Sequence, residues 1–205
     1  LGTLLATGKA DPAPCTAMSA VELVKRVKPE LNGARALVVG RSAIVGKPAV
    51  LLLLNLNASA QFAHSKSDVP ALCREAEVVI AATGAAQVRW DRYRKELKAF
   101  KDGKAAKPKI PDLTPLITAD CVKPGAIVVD VGVNHVPKGF DAEGEPLKND
   151  KGKPAMQYVG DVDFERVKEV AGWITSPKGG AGPVTNAFLL RNAVHAAMKA
   201  AGRVA

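Results

Sequence analysis

A doubly wound α/β fold, with helices on both faces of a mostly parallel sheet, is what this sequence predicts. Three observations predict it. Short continuous apolar runs recur at residues 36–39, 78–81 and 127–129. Runs without polar alternation belong to strands buried on both faces, as parallel strands are. Segments of helical spacing separate them. Each strand also ends in glycine or polar residues: Gly40 to Ser42, His64 to Lys66, Thr83-Gly84 and Gly132 to Asn134. Ligands in open α/β sheets sit past the carboxyl ends of the strands, so four loops are expected to converge on one edge.

The elements follow in order. Residues 19–28 place Val21, Leu23, Val24 and Val27 on a partial helical stripe. Strand 35–39 leads through a turn to a helix over 48–55, opened by Pro48, where the missing N–H has no helical partner to lose. After strand 59–63, Asp68 is placed to cap a helix ending near Arg74. Strand 78–81 precedes a basic segment, and strand 127–131 precedes a Gly/Lys/Pro/Asp-rich loop or hairpin at 137–154. Asp163 is expected to cap a helix over 164–170 while Asp161 braces the turn before it. A strand at 173–175 and a helix over 184–200, carrying Phe188, Leu189, Val194 and Met198, complete the chain. No internal repeat is visible.

The run from Gly40 to Pro48 (GRSAIVGKP) carries the most chemistry. Strand, glycine-bounded turn and helix leave free N–H groups at a helix start, where a phosphate meets both the donors and the positive end of the dipole. The run departs from G-x-G-x-x-G, since Ser42 takes the middle position and Gly46 comes one residue late. It is no ATP-type loop either: Lys47 is followed by proline, so no hydroxyl is offered to magnesium. An ordinary strand-to-helix turn is the alternative. At the end of the next strand, where an NAD site usually carries Asp or Glu, stand His64, Ser65 and Lys66. With Arg41 in the first turn, that set welcomes a 2′-phosphate and predicts NADP over NAD.

Composition bounds the rest. The chain has 205 residues, 47% of them hydrophobic, enough for one substantial domain of a soluble protein. No apolar run approaches the ~20 residues a bilayer requires, and residues 1–6 lack the length and basic flank of a signal peptide. The chain does not begin with methionine, so a fragment or processed product is expected. Cys15, Cys73 and Cys121 form no C-x-x-C pair and read as reduced thiols of a cytoplasmic protein, with Cys15 simply packed. His64, His135 and His195 have no metal-ligand spacing, and no metal is expected. Net charge is +9, and residues 89–109 hold nine Lys or Arg against three acids. That block, with Trp90, Tyr93 and Phe100, is either a nucleic-acid patch or a solvated amphipathic helix running into a Lys/Pro-rich loop. We adopt the second reading.

Six ordered motifs then carry a family resemblance. They are Pro14-Cys15-Thr16, the turn from Gly40 to Pro48, His64-Ser65-Lys66, the run from Asp130 to Asn134, the run from Gly160 to Asp163, and the run from Gly179 to Thr185. Together they resemble the bifunctional methylenetetrahydrofolate dehydrogenase/methenyltetrahydrofolate cyclohydrolase family. The resemblance implies a Rossmann-type NADP-binding domain at 17–183, with a basic insertion at 88–112 and a loop at 137–157. Residues 1–16 would end or link a smaller N-terminal domain, and 184–205 would form a C-terminal helix. It further implies that Gly40, Arg41 and Ser42 meet the pyrophosphate and 2′-phosphate, with His64 and Ser65 completing that pocket. Val133 and Thr16 would border the nicotinamide, while Gly180, Gly182, Pro183 and Thr185 would border the folate. The implied activity is hydride transfer from methylenetetrahydrofolate to NADP, followed by hydrolysis of the methenyl product, in a homodimeric cytoplasmic enzyme of one-carbon metabolism.

Three departures qualify the resemblance. The family's catalytic tyrosine, with a lysine four residues on, is absent: Leu97 follows Tyr93 at that distance, and Val162 follows Tyr158. The chain therefore resembles the coenzyme half of a longer protein. Lys178 replaces a proline before the glycine-rich run, and the basic block is an insertion. The rival readings are an NADP-sensing module without catalysis and a nucleic-acid-binding protein using 89–109.

Overall fold

A computed structural model describes residues 2–7 and 12–203. In chain order the elements are α1 (Gly2–Thr7), α2 (Cys15–Val27), β1 (Arg35–Val39), α3 (Gly46–Leu54), β2 (Ser59–Ala63), α4 (Val69–Glu75), β3 (Val78–Ala81) and α5 (Ala85–Lys101). A single 3-10 turn, Ala119–Cys121, precedes β4 (Ile127–Asp130), β5 (Asn134–Pro137), β6 (Met156–Val159), α6 (Phe164–Val167), β7 (Trp173–Ile174) and α7 (Ala181–Ala200).

Five parallel strands pair in the order β2-β1-β3-β4-β7. Successive side chains alternate between the two faces, and both faces are covered. Ala36, Val38, Val78 and Ile80 pack under α2 and α3, with Val24 and Leu53 fully buried against them. Leu37, Val39, Val79 and Val128 pack on the other side with Val69, Cys73, Ile117, Cys121 and Val167. Each buried Leu or Ile side chain of these layers contributes about 1.5–3 kcal/mol. From β1 the chain builds outward to β2, then returns to the other flank of β1 as β3. Strand order therefore reverses between β1 and β3, which opens a crevice at their carboxyl ends.

Several boundaries differ from the sequence-based expectation for physical reasons. Helix α7 starts at Ala181 rather than 184, which leaves Pro183 in the first turn where it removes no hydrogen bond. Helix α6 stops at Val167 rather than 170, because the Val170 carbonyl accepts the Gly125 N–H at 2.9 Å and pulls the chain toward β7. Asp163 occupies the N-cap position of α6 but makes no side-chain cap bond; its carboxylate pairs with Arg166 at 3.7 Å. Asp68 does cap α4, accepting the Ala71 N–H at 3.1 Å.

The stretch read as a loop or hairpin is a hairpin: β5 and β6 pair antiparallel, and bridges at Phe140–Pro146 and Lys148–Pro154 extend it. It is held by the apolar stripe of α5. Trp90, Tyr93 and Leu97 bury against Val136, Phe140 and Leu113, with the Tyr93 and Phe140 rings edge to face at 5.5 Å. Tyr93 also donates its hydroxyl to Gly144 O at 2.7 Å. The basic block is thus half core: two of its three aromatics are buried and unavailable to stack on bases, and Phe100 is 38% exposed. Its cations Arg92, Lys95 and Lys98 face outward. No helix among the described residues is long and apolar enough to cross a membrane.

Candidate functional site

The turn after β1 is shaped by two glycines. Gly40 has φ +127°, and a Cβ there would drive into the Ala82 carbonyl at the end of β3. A Cβ on Gly46 would strike Gly40 O. Both positions accept only hydrogen, so the turn is pressed into the crevice between β1 and β3. Ser42 closes it: its Oγ accepts the N–H groups of Val45 and Gly46 at 3.1 and 3.2 Å, and its carbonyl accepts Lys47 N–H at 3.0 Å. The backbone N–H groups of Arg41, Ser42, Ala43 and Ile44 donate to no other described residue, and all four residues are exposed. These are unspent donors immediately before a helix start, the geometry that holds an anion.

Beside it runs the loop after β2. Val39 pairs with Ala63, and Gly40 N–H donates to Ala63 O at 2.9 Å, so the two connections leave the sheet side by side. His64 is partly occupied with building this loop: its N–H donates to Ser67 Oγ, and its Nδ1 accepts Lys66 N–H, each at 3.1 Å. Ser65 and Lys66 are exposed, as is Arg41. Two cations, Arg41 and Lys66, and the Ser65 hydroxyl thus face solvent next to the free amides.

The other predicted residues gather elsewhere on the same edge. A cavity of about 430 Å³ is lined by Thr16, Val133, Gly180, Gly182, Pro183 and Thr185, together with Asp130 and Tyr158. Gly40, Arg41, Ser42, His64 and Ser65 do not line it. Two helix starts shape its floor. Ser19 Oγ and Thr185 Oγ1 each donate to Ala181 O at 2.9 Å, so the Thr185 hydroxyl hydrogen is already committed to the first turn of α7. At the mouth, Tyr158 is 74% exposed and stacks on His135 with ring centroids 4.6 Å apart.

A carboxylate pair supports the cavity wall, Asp130 lining it and Asp161 buried behind. Asp161, 2% exposed, accepts the N–H groups of Thr83 at 2.6 Å and Gly84 at 3.0 Å on Oδ2, and Asn134 Nδ2 at 3.2 Å on Oδ1. Asp130 accepts Gly132 N–H at 2.8 Å, Asp161 N–H at 3.2 Å and Val162 N–H at 3.0 Å. Burial pushes the Asp130 carboxyl up, the Asp161 charge adds to that, and the three amides oppose it, leaving its pKa at about 6. The brace expected of Asp161 is present. The role of Asp130 was not read from sequence. Its signal was a pair of Gly–Asp steps: Gly132 has no side chain because Asp161 fills the space, and Gly160 has none because Asp130 does.

Cys73 and Cys121, distant in sequence, meet on the buried face under the sheet. A hydrogen bond with Cys121, together with burial, pushes the Cys73 thiol up, and Cys121 Sγ donates to Thr118 O at 3.1 Å. Cys15 is half-buried, and its sulfur accepts Asn192 Nδ2 at 3.3 Å. Among the described residues no group of three or more His, Cys, Asp or Glu is placed to hold a metal ion.

Comparison with known proteins agrees with this fold. The bifunctional protein FolD of Rhodopseudomonas palustris strain BisA53 is 42% identical over 194 residues, which is 94% of this chain and 52% of that protein. FolD of Phenylobacterium zucineum is 38% identical over 199 residues, 97% of this chain and 55% of its own length. The chain spans about half the length of the curated relatives it matches. Among solved structures, Trypanosoma brucei methylenetetrahydrofolate dehydrogenase-cyclohydrolase, complexed with NADP and an inhibitor, superposes with a TM-score of 0.67 at 28% identity, over 94% of this chain and 53% of that one. The Campylobacter jejuni FolD enzyme superposes at 0.64 with 32% identity, over 91% of this chain and 51% of that one. The family model described as tetrahydrofolate dehydrogenase/cyclohydrolase, NAD(P)-binding domain, matches residues 14–96 and 113–201, passing over 97–112. With most of its sequence matched, the chain belongs to the family of tetrahydrofolate dehydrogenase/cyclohydrolase NAD(P)-binding domains.

Proposed function

We propose that this chain is the NADP-binding part of a methylenetetrahydrofolate dehydrogenase that, as a whole protein, also hydrolyses the methenyl product. The observation that carries the reading is the turn after β1, with its free amides at Arg41 to Ile44 set beside exposed Ser65 at the strand-order reversal. Those amides take the pyrophosphate. Arg41 and Ser65 take the 2′-phosphate, which a carboxylate at the end of β2 would repel. Each hydrogen bond to a charged group is worth about 1.5–3 kcal/mol, so two decide between NADP and NAD. The gap between this turn and the cavity is spanned by the extended dinucleotide. Its nicotinamide end lies against the Val133 backbone and Thr16, and a folate enters along Gly180, Gly182, Pro183 and Thr185.

When bound, the nicotinamide supplies a hydride acceptor for the one-carbon bridge of the folate. The residues of this chain bind and orient; the cavity walls limit the water that reaches the reacting carbon. No Tyr-x-x-x-Lys pair occurs in the sequence. We therefore expect the chain alone to bind NADP while turning over little methylenetetrahydrofolate. A homodimer and a cytoplasmic setting belong to the same reading. In its support, β2 is an edge strand with Phe62 44% exposed, which leaves an open sheet edge for a second copy.

The test is calorimetric titration of the chain with NADP and NAD. Saturable NADP binding, about tenfold or more tighter than NAD, is expected. Equal affinities would remove the assigned 2′-phosphate pocket, and no binding of either would remove the reading. Light scattering checks the dimer.

A further inference from the structure

Beyond the phosphate-binding turn, we propose that the Asp130–Asp161 pair is a positioning element for the nicotinamide half of the bound coenzyme. The proposal rests on the NADP reading above.

The two carboxylates, 31 residues apart in sequence, accept six hydrogen bonds between them. The bonds reach three segments at the sheet edge. Thr83 and Gly84 end β3 and begin α5; Gly132 leads to Val133; Asp161 and Val162 follow Gly160. Asn134, fully buried, extends the set, since its Oδ1 accepts Gln87 N–H at 2.9 Å while its Nδ2 also donates to Val159 O at 3.1 Å. The wall segments 130–133 and 158–160 of the cavity are therefore held to each other and to the start of α5 through these side chains.

None of the six bonds reaches residues 41–46. The phosphate turn is instead held by Ser42 and by Gly40 N–H on Ala63. The edge is thus supported by two separate sets of bonds, one under the phosphates and one under the nicotinamide end. The chemistry of the second set is specific to carboxylate. All six partners are donors, and a carboxylate presents acceptors alone. An asparagine at 161 has the same shape but must aim its NH₂ either at Asn134 Nδ2 or at the Thr83 and Gly84 amides. Donor then faces donor inside a buried site, and the segments separate.

The experiment titrates Asp161→Asn with NADP and with adenosine 2′,5′-bisphosphate, which has the 2′-phosphate but no nicotinamide. NADP affinity is expected to fall about tenfold or more, while the bisphosphate stays within about twofold of the parent chain. That split separates positioning from general damage, which would weaken both ligands. Unchanged NADP affinity, or parallel losses for both ligands in a folded variant, overturns the proposal. If Asp161→Asn does not fold, Asp130→Asn is judged by the same criteria, since its NH₂ would face one of the Gly132, Asp161 or Val162 N–H groups. The two readings fail separately: a parent chain that ignores NADP sinks the earlier one, while a parent that binds and variants without the split sink only this one.

Discussion

The two ends of the binding edge are built on opposite plans. At the turn after β1, donors are left over: four consecutive amides, an exposed arginine and an exposed serine, with Ser42 alone closing the loop. At the cavity wall, two carboxylates accept six donors, and no buried side-chain polar atom among the described residues lacks a partner. The difference teaches that a binding residue and a supporting residue are told apart by what remains unsatisfied. An unspent donor at the surface waits for a ligand. An acceptor that already holds several backbone donors has found its partners and acts by holding them.

Four substitutions break or sharpen that contrast. Gly40→Ala strikes the open end hardest, because a Cβ meets the Ala82 carbonyl at a φ that side chains rarely adopt. A stability loss of about 3 kcal/mol is expected by urea unfolding, with NADP binding abolished. Arg41→Ala leaves the fold intact and weakens NADP by about 10- to 100-fold. NAD is left nearly unchanged, and equal losses for the two nucleotides would reassign Arg41.

The filled end responds through stability. Folding raises the Asp130 pKa from 3.8 to about 6, so its stabilising contribution is complete below 3.8 and lost as pH rises through 6. Asp130→Asn removes that dependence. Relative to the parent, the variant should gain on the order of 2 kcal/mol between pH 4 and pH 7, read from unfolding curves at each pH. The smallest effect is expected from Tyr93→Phe, which leaves the Gly144 carbonyl without its buried partner. It should cost about 1 kcal/mol, and NADP affinity should not move.

Much of the fold was legible because parallel strands announce themselves as short unbroken apolar runs. Strands 35–39 and 78–81 lie where their composition put them. Helix ends were less legible, since they are decided by tertiary partners: Gly125 claims the Val170 carbonyl and ends α6 early. At the site, the glycine-bounded turn was readable because its function lies in local backbone geometry. The convergence of Thr16, Val133 and residues 180–185 on one cavity followed from the family resemblance, not from spacing. Asp130 was missed because its donors come from residues up to 32 positions away, and no local pattern records them. The amphipathic helix expected for the basic block is α5, but what its aromatic stripe packs against was not legible, for the same reason. Trp90 and Tyr93 are covered by the hairpin carrying Val136 and Phe140, which lies more than 40 residues further along the chain.

That covered stripe has a practical consequence. Leu97 is buried and Leu113 packs into the same cluster, so both ends of the intervening segment are anchored at one place. The segment's length is then nearly free, because closing a somewhat longer or shorter loop between fixed ends changes the entropy by only about 0.6 kcal/mol per doubling. The family model leaves 97–112 unmatched between two matched stretches, as expected of a segment whose length the scaffold does not constrain. The same stretch, exposed from Lys101 to Lys107, is a natural place to splice in a fluorophore or affinity handle without disturbing the nucleotide edge.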